Sequence, residues 1–132
     1  MSASNVLKFI KEKEAEFVDL RFTDPRGKLQ HLTMDSTIVD DEMLNDGVFF
    51  DGSSIAGWKA INESDMILKP DTSRMIMDPF TSHNTLILFC DILDAVKRTP
   101  YERDPRGIAK KAEDYLKKSG VGDKAFFGPE PE

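Results

Sequence analysis

Phe17-Val18-Asp19-Leu20-Arg21-Phe22-Thr23-Asp24-Pro25-Arg26-Gly27 is the stretch on which the fold turns. Val18, Leu20 and Phe22 alternate with Asp19, Arg21 and Thr23, the two-residue period of a strand with one buried face. Asp24-Pro25-Arg26-Gly27 supplies turn chemistry, proline presetting the backbone at the second position and glycine relaxing the exit. A hairpin is expected, returning over Lys28 to Met34. On the return strand Leu29, Leu32 and Met34 slip in phase by one residue, which predicts a bulge near His31.

The partner strands lie further along the chain. Thr85 to Ile92 is nearly continuous in hydrophobicity, which predicts burial on both faces in the middle of a sheet. Val48-Phe49-Phe50, Met66-Ile67-Leu68 and Met75-Ile76-Met77 read as shorter strands, the last two bounded by Lys69-Pro70-Asp71 and Asp78-Pro79. Before the hairpin, Ser4 or Asn5 is expected to cap a short helix that gathers Val6, Leu7 and Ile10 on one side. After the sheet, Asp104-Pro105 opens a longer helix with Ile108, Ala109, Ala112, Tyr115 and Leu116 in one apolar stripe and Gly120 at its end. The fold class is therefore α+β, a mixed sheet with helix packed on it. Asp94 to Arg103, polar and containing Pro100, is the nearest thing to a linker.

The 132 residues carry 24 acidic and 18 basic side chains, for a net charge of −6. That balance disfavours a non-specific nucleic-acid or anionic-membrane binder, which needs a basic field to release counterions. The longest apolar run, Leu86 to Cys90, is too short to cross a bilayer, and Met1 to Asn5 lacks the pattern of a secretion signal. No nucleic acid, no membrane and a cytoplasmic location are the expectation. The single Cys90 sits in that run, where a thiol serves as a small buried hydrophobe. His31 and His83 have no second imidazole or thiol at ligand spacing and read as structural or surface residues.

Two places could carry chemistry. Asp51-Gly52-Ser53-Ser54-Ile55-Ala56-Gly57-Trp58 is a long loop-like stretch that could present a carboxylate beside hydroxyls, to hold a small cation or remove a proton; a plain turn is the alternative. Trp58 reads as an anchor for it. At the end of the chain, Ala125 to Glu132 looks like a strand just begun, which suggests a fragment of something larger. There Glu130 and Glu132 would share a face about 6 to 7 Å apart, with Pro129 and Pro131 keeping the backbone extended. Magnesium and manganese favour such oxygen pairs, and a solvated acidic tail is the alternative.

Phe50-Asp51-Gly52-Ser53-Ser54, followed by Glu63-Ser64-Asp65 and Met66-Ile67-Leu68, resembles the N-terminal signature of glutamine synthetase. Lys69-Pro70-Asp71-Thr72-Ser73 looks like the family's next segment, and Phe127-Gly128-Pro129-Glu130-Pro131-Glu132 looks like the opening of its catalytic domain. The likeness is greatest to the bacterial type I enzymes. It implies a β-grasp domain over residues 1–103 and the start of a truncated catalytic domain over 104–132. It also implies an ATP-dependent ligation of ammonium to glutamate through a γ-glutamyl phosphate, with two Mg2+ or Mn2+ ions per site. By motif, Glu130 and Glu132 would each help bind one metal ion, and Asp51 would bind ammonium and accept its proton, with Ser54 in support. Family members form two stacked hexameric rings with sites between neighbours, so the implied partners include further copies of the chain in a dodecamer. The remaining ligands and the nucleotide pocket would lie beyond residue 132, and this segment alone is expected to be inactive. A non-catalytic assembly module and a related glutamate–amine ligase are the competing readings.

Overall fold

The computed structural model describes residues 2–55, 57 and 64–130. Helix α1 (Ala3–Glu12) buries Ala3, Val6 and Ile10, a spacing that repeats on one helical face. Ser2, rather than Ser4 or Asn5, occupies its N-cap, and the Ser2 side chain makes no capping bond. The helix starts early because Ala3 already belongs to the core.

Strands β1 (Phe17–Thr23) and β2 (Leu29–Asp35) form the expected hairpin. Asp24 closes its turn, with Oδ1 accepting from the amides of Arg26 and Lys28, each at 2.9 Å. The expected bulge near His31 is absent: β1 and β2 pair one for one from Phe17 opposite Asp35 to Thr23 opposite Leu29. The physical reason is that β2 lies at the sheet edge. Leu29 is 50% exposed, so no burial demand forces the strand to change phase.

A short helix α2 (Asp41–Asp46) follows, which the apolar pattern did not announce; its N-cap Asp40 accepts from the Met43 amide at 2.8 Å. Then come β3 (Val48–Asp51), β4 (Asp65–Pro70), the two-residue β5 (Ile76–Met77), β6 (Thr85–Asp94) and helix α3 (Pro105–Ser119). The sheet order is β2-β1-β6-β4-β3, with β5 also pairing with β6. Only the β1–β6 pair, among the described strands, is parallel.

Strand β6 is central, as its hydrophobic run predicts. Leu86, Leu88, Cys90 and Ile92 join Val6, Ile10, Val18, Leu20, Leu44, Met66 and Leu68 in one buried cluster. Each fully buried aliphatic side chain contributes about 1.5–3 kcal/mol. Burial pushes the Cys90 thiol well above its ordinary range, so it behaves as core filler.

Residues 94–103 do not trail as a linker. They turn tightly, with Leu93 bridged to Pro100, and return Tyr101 and Asp104 to β6. Asp104 caps α3 through the Arg106 amide at 3.1 Å and also accepts from the Ile92 amide of β6 at 3.1 Å. Helix α3 is thus tied down by its first turn, where Arg106 reaches Asp91 and Asp71 and Lys110 reaches Asp91. Its apolar stripe is left uncovered, with Ile108 and Tyr115 exposed. The strand expected near the chain end does not form within residues 123–130, which carry neither helix nor strand.

On the face away from α1, Asp19 is 3% exposed and fully engaged. It takes hydrogen bonds from Arg21 Nε at 2.6 Å and Thr33 Oγ1 at 2.7 Å, and His31 Nδ1 lies 2.8 Å away. Burial pushes its carboxyl up; the bonds from Thr33, Arg21 and His31 outweigh that and hold it below the usual carboxylate range. A depressed native pKa stabilises the fold above the ordinary carboxyl range, and the contribution is lost as pH falls through the native value. Stability in urea should therefore decline below about pH 4. Asp19→Asn is expected to cost about 1–3 kcal/mol at neutral pH and to flatten that acid decline. Urea titrations of both proteins between pH 7 and pH 2 measure this, and parallel declines would reject the assignment to Asp19.

Candidate functional site

Asp51 ends β3, the strand at the edge of the sheet opposite β2. Three features place it there. Gly47 precedes β3 with φ at +85°, and a Cβ on it would lie 2.5 Å from Ile67 Cγ2 and 2.6 Å from the Leu68 carbonyl oxygen. Only glycine allows the chain to pass that close to β4 in that conformation. Lys69 Nζ then donates to the carbonyls of Leu44 and Asn45, satisfying the C-terminal end of α2 and fixing it against β4. Phe50, packed on the Phe22 ring at 5.4 Å, sets the register of β3 from the core side.

Beyond Asp51 the chain makes a single 3-10 turn, Gly52–Ser54. The Gly52 amide donates to the Ser64 carbonyl at 2.7 Å, tying the turn to the start of β4. Asp51 Oδ1 accepts from the Ser53 amide at 2.9 Å and from Ser53 Oγ at 2.7 Å. The Ser53 hydroxyl, then its amide, and to a lesser degree the Ser64 hydroxyl hold the Asp51 carboxyl below its ordinary range. Asp51 is exposed, so the result is an ionised carboxylate presented to solvent from a fixed backbone. Such a group can hold a small cation, and it is a weak base at neutral pH.

The hydroxyl that meets Asp51 is that of Ser53. Ser54, singled out in the sequence beside Asp51, is exposed on the same turn. The signal for Ser53 was its spacing: a serine two residues after an aspartate is the pattern of a local side-chain-to-backbone turn. Trp58 and Glu63 lie outside the described residues, as does Glu132. Glu130 is exposed in the tail. Among the described residues no three His, Cys, Asp or Glu side chains converge as a metal's donor set. No described helix is long and apolar enough to cross a membrane.

A mixed sheet curled against a helix, with a parallel pair at its centre and an anionic turn at its edge, defines a β-grasp domain. The family described as the glutamine synthetase β-grasp domain matches residues 14–95, and the chain belongs to that family. Glutamine synthetase of Rhizobium meliloti (strain 1021) is 64% identical over 131 residues, covering 99% of this chain and 28% of that protein. The Escherichia coli (strain K12) glutamine synthetase is 55% identical over 132 residues, covering 100% of this chain and 28% of that protein. In three dimensions the chain is similar to a cryo-EM structure of Plasmodium falciparum glutamine synthetase, with a TM-score of 0.81 at 25% identity over 91% of this chain and 23% of that one. The chain thus spans 28% of the length of these curated relatives.

Gly52 is the steric key to the turn. A Cβ there would stand 2.3 Å from Met66 Sδ and 2.9 Å from the Ser64 carbonyl oxygen. Gly52→Ala should lift the turn from β4 and cost about 1–3 kcal/mol. A urea midpoint equal to wild type, with the Ser53 amide resonance unmoved, would show that the contact yields without effect.

Proposed function

We propose that this chain is the N-terminal part of a glutamine synthetase, whose complete form ligates ammonia to glutamate at the expense of ATP. The observation that carries the reading is the Asp51 carboxylate, held ionised and exposed at the sheet edge by Ser53 and Ser64. Residues 1–103 are the β-grasp domain, and 104–132 begin the catalytic domain. The enzyme works in the cytoplasm as a homo-oligomer, a dodecamer of two stacked hexameric rings.

Phosphoryl transfer from ATP to the γ-carboxylate of glutamate gives γ-glutamyl phosphate, turning a poor leaving oxygen into a good one. Ammonium is attracted to the Asp51 anion, with Ser54 completing its polar surroundings. An ammonium ion has no lone pair, so one proton must leave before the nitrogen can attack. The Asp51 carboxylate takes that proton in an uphill transfer, drawn forward because the ammonia so formed is consumed at once by the acyl phosphate. The ammonia nitrogen then bonds to the acyl carbon, the bond from that carbon to the phosphate oxygen breaks, and the bonded nitrogen, now far more acidic, gives its second proton to the departing phosphate, leaving glutamine and phosphate.

Glu130 and Glu132 would each contribute one carboxylate to a pair of magnesium or manganese ions, whose other donors come from outside this chain; such ions neutralise phosphate charge. The β-grasp domain of one subunit completes the site of the next, so Asp51 and the Glu130–Glu132 pair of one chain serve different sites. This segment alone has no activity.

Shared sites can be tested by mixing two inactive full-length variants, Asp51→Ala and Glu132→Ala. A site is intact only where a Glu132→Ala subunit lends its β-grasp domain to an Asp51→Ala neighbour, so random mixing should restore roughly one site in four. Verified mixed rings that stay inactive would reject the arrangement.

A further inference from the structure

The Asp51 carboxylate is exposed without being loose. A single residue supplies both a backbone amide and a hydroxyl to the same oxygen, Oδ1. Any residue but proline at position 53 could give the amide; only serine or threonine could add the hydroxyl in that geometry. The turn between the two residues cannot drift, because Gly52 lies against Met66 and its amide is held by the Ser64 carbonyl. Asp51 is held by its pairing with Asp65, and the middle of the 51–53 contact by Gly52 against Met66 and Ser64.

We propose that Ser53 is the positioning residue of this site, its hydroxyl clamping one oxygen of Asp51 so that the carboxylate keeps its aim and its charge toward a small cation. The inference rests on the reading of Asp51 as the ammonium-binding carboxylate. It assigns Ser53 a role separate from that of Ser54, which belongs to the cation's own surroundings.

The electrostatics give the clamp a reason to exist. Strand β4 pairs with β3 and presents Asp65 directly opposite Asp51, with Ser64 just before it. The 3-10 turn adds hydroxyl-bearing residues, Ser53 and Ser54, and the Ser53 hydroxyl makes the largest contribution to keeping Asp51 ionised. Without it, Asp51 would titrate at higher pH and its carboxylate could rotate away from the approach of a cation.

The test uses a full-length enzyme carrying this segment, assayed across pH as wild type, Ser53→Ala, Ser53→Thr and Asp51→Asn. Ser53→Ala should raise the KM for ammonium roughly 5- to 10-fold, the scale of one net intramolecular hydrogen bond, and leave the KM values for glutamate and ATP unchanged. The acid limb of kcat/KM for ammonium should move to higher pH, since a carboxyl stripped of a donor protonates sooner. Ser53→Thr, which keeps the hydroxyl, should restore both. A carbon-13 carboxyl titration of Asp51 in the 132-residue chain should show the same upward move in Ser53→Ala. An unchanged ammonium KM and acid limb in Ser53→Ala, or an equal rise in all three KM values, would overturn the proposal. Asp51→Asn with wild-type ammonium KM would instead overturn the ammonium reading, while the titration still decides the clamp on its own readout.

Discussion

Strand β6 sets the terms for everything around it. One face, Leu86, Leu88, Cys90 and Ile92, is buried along the strand and the other is buried at Thr85 and Ile87, so the backbone groups along it need partners inside the protein. β1 supplies partners from Thr85 to Phe89, β4 from Cys90 to Asp94, and β5 covers Leu86 and Ile87. On the β1 side the pairing stops at Phe89, and there the chain closes the account with Tyr101 and Asp104. The Tyr101 amide donates to the Ile92 carbonyl, and the Asp104 carboxylate accepts from the Ile92 amide. One buried aspartate thus does the work of a missing strand and caps a helix. Burial pushes its carboxyl upward, even as the backbone amides favour its charged form.

The candidate site inherits its geometry from that centre. β4 is held by β6, β3 is held by β4, and Asp51 is the last residue of β3. Each step outward is fixed by a close approach: Gly47 against Leu68, Gly52 against Met66, and Lys69 against the end of α2. The carboxylate is presented to solvent from a rigid edge, which suits a group meant to meet a ligand rather than to stabilise the core.

Much of this was legible in the residues. The alternation from Phe17, the unbroken run at Thr85 and the Asp104-Pro105 helix start each have a local cause, and each held in the structure. The bulge near His31 failed because it assumed that both strands of the hairpin had a buried face to respect. Leu29 stays exposed on an edge strand, and the register followed the turn instead. Helix α2 was missed because it is short and acidic and buries only Leu44, leaving no period to read. The α3 stripe was legible as apolar, but periodicity cannot say whether a face is covered; here the helix is tied by its charged first turn.

The sequence by itself determined the strand and helix types, the acidic character and the motif around Asp51, because these depend on neighbours within a few residues. The Ser53–Asp51 contact, two residues apart, belongs with these; that Asp65 stands opposite Asp51 and that Asp104 reaches Ile92 were decided only by the tertiary structure. Those contacts join residues whose spacing carries no period, and they exist because buried backbone and paired charges must be satisfied wherever the packed chain brings them.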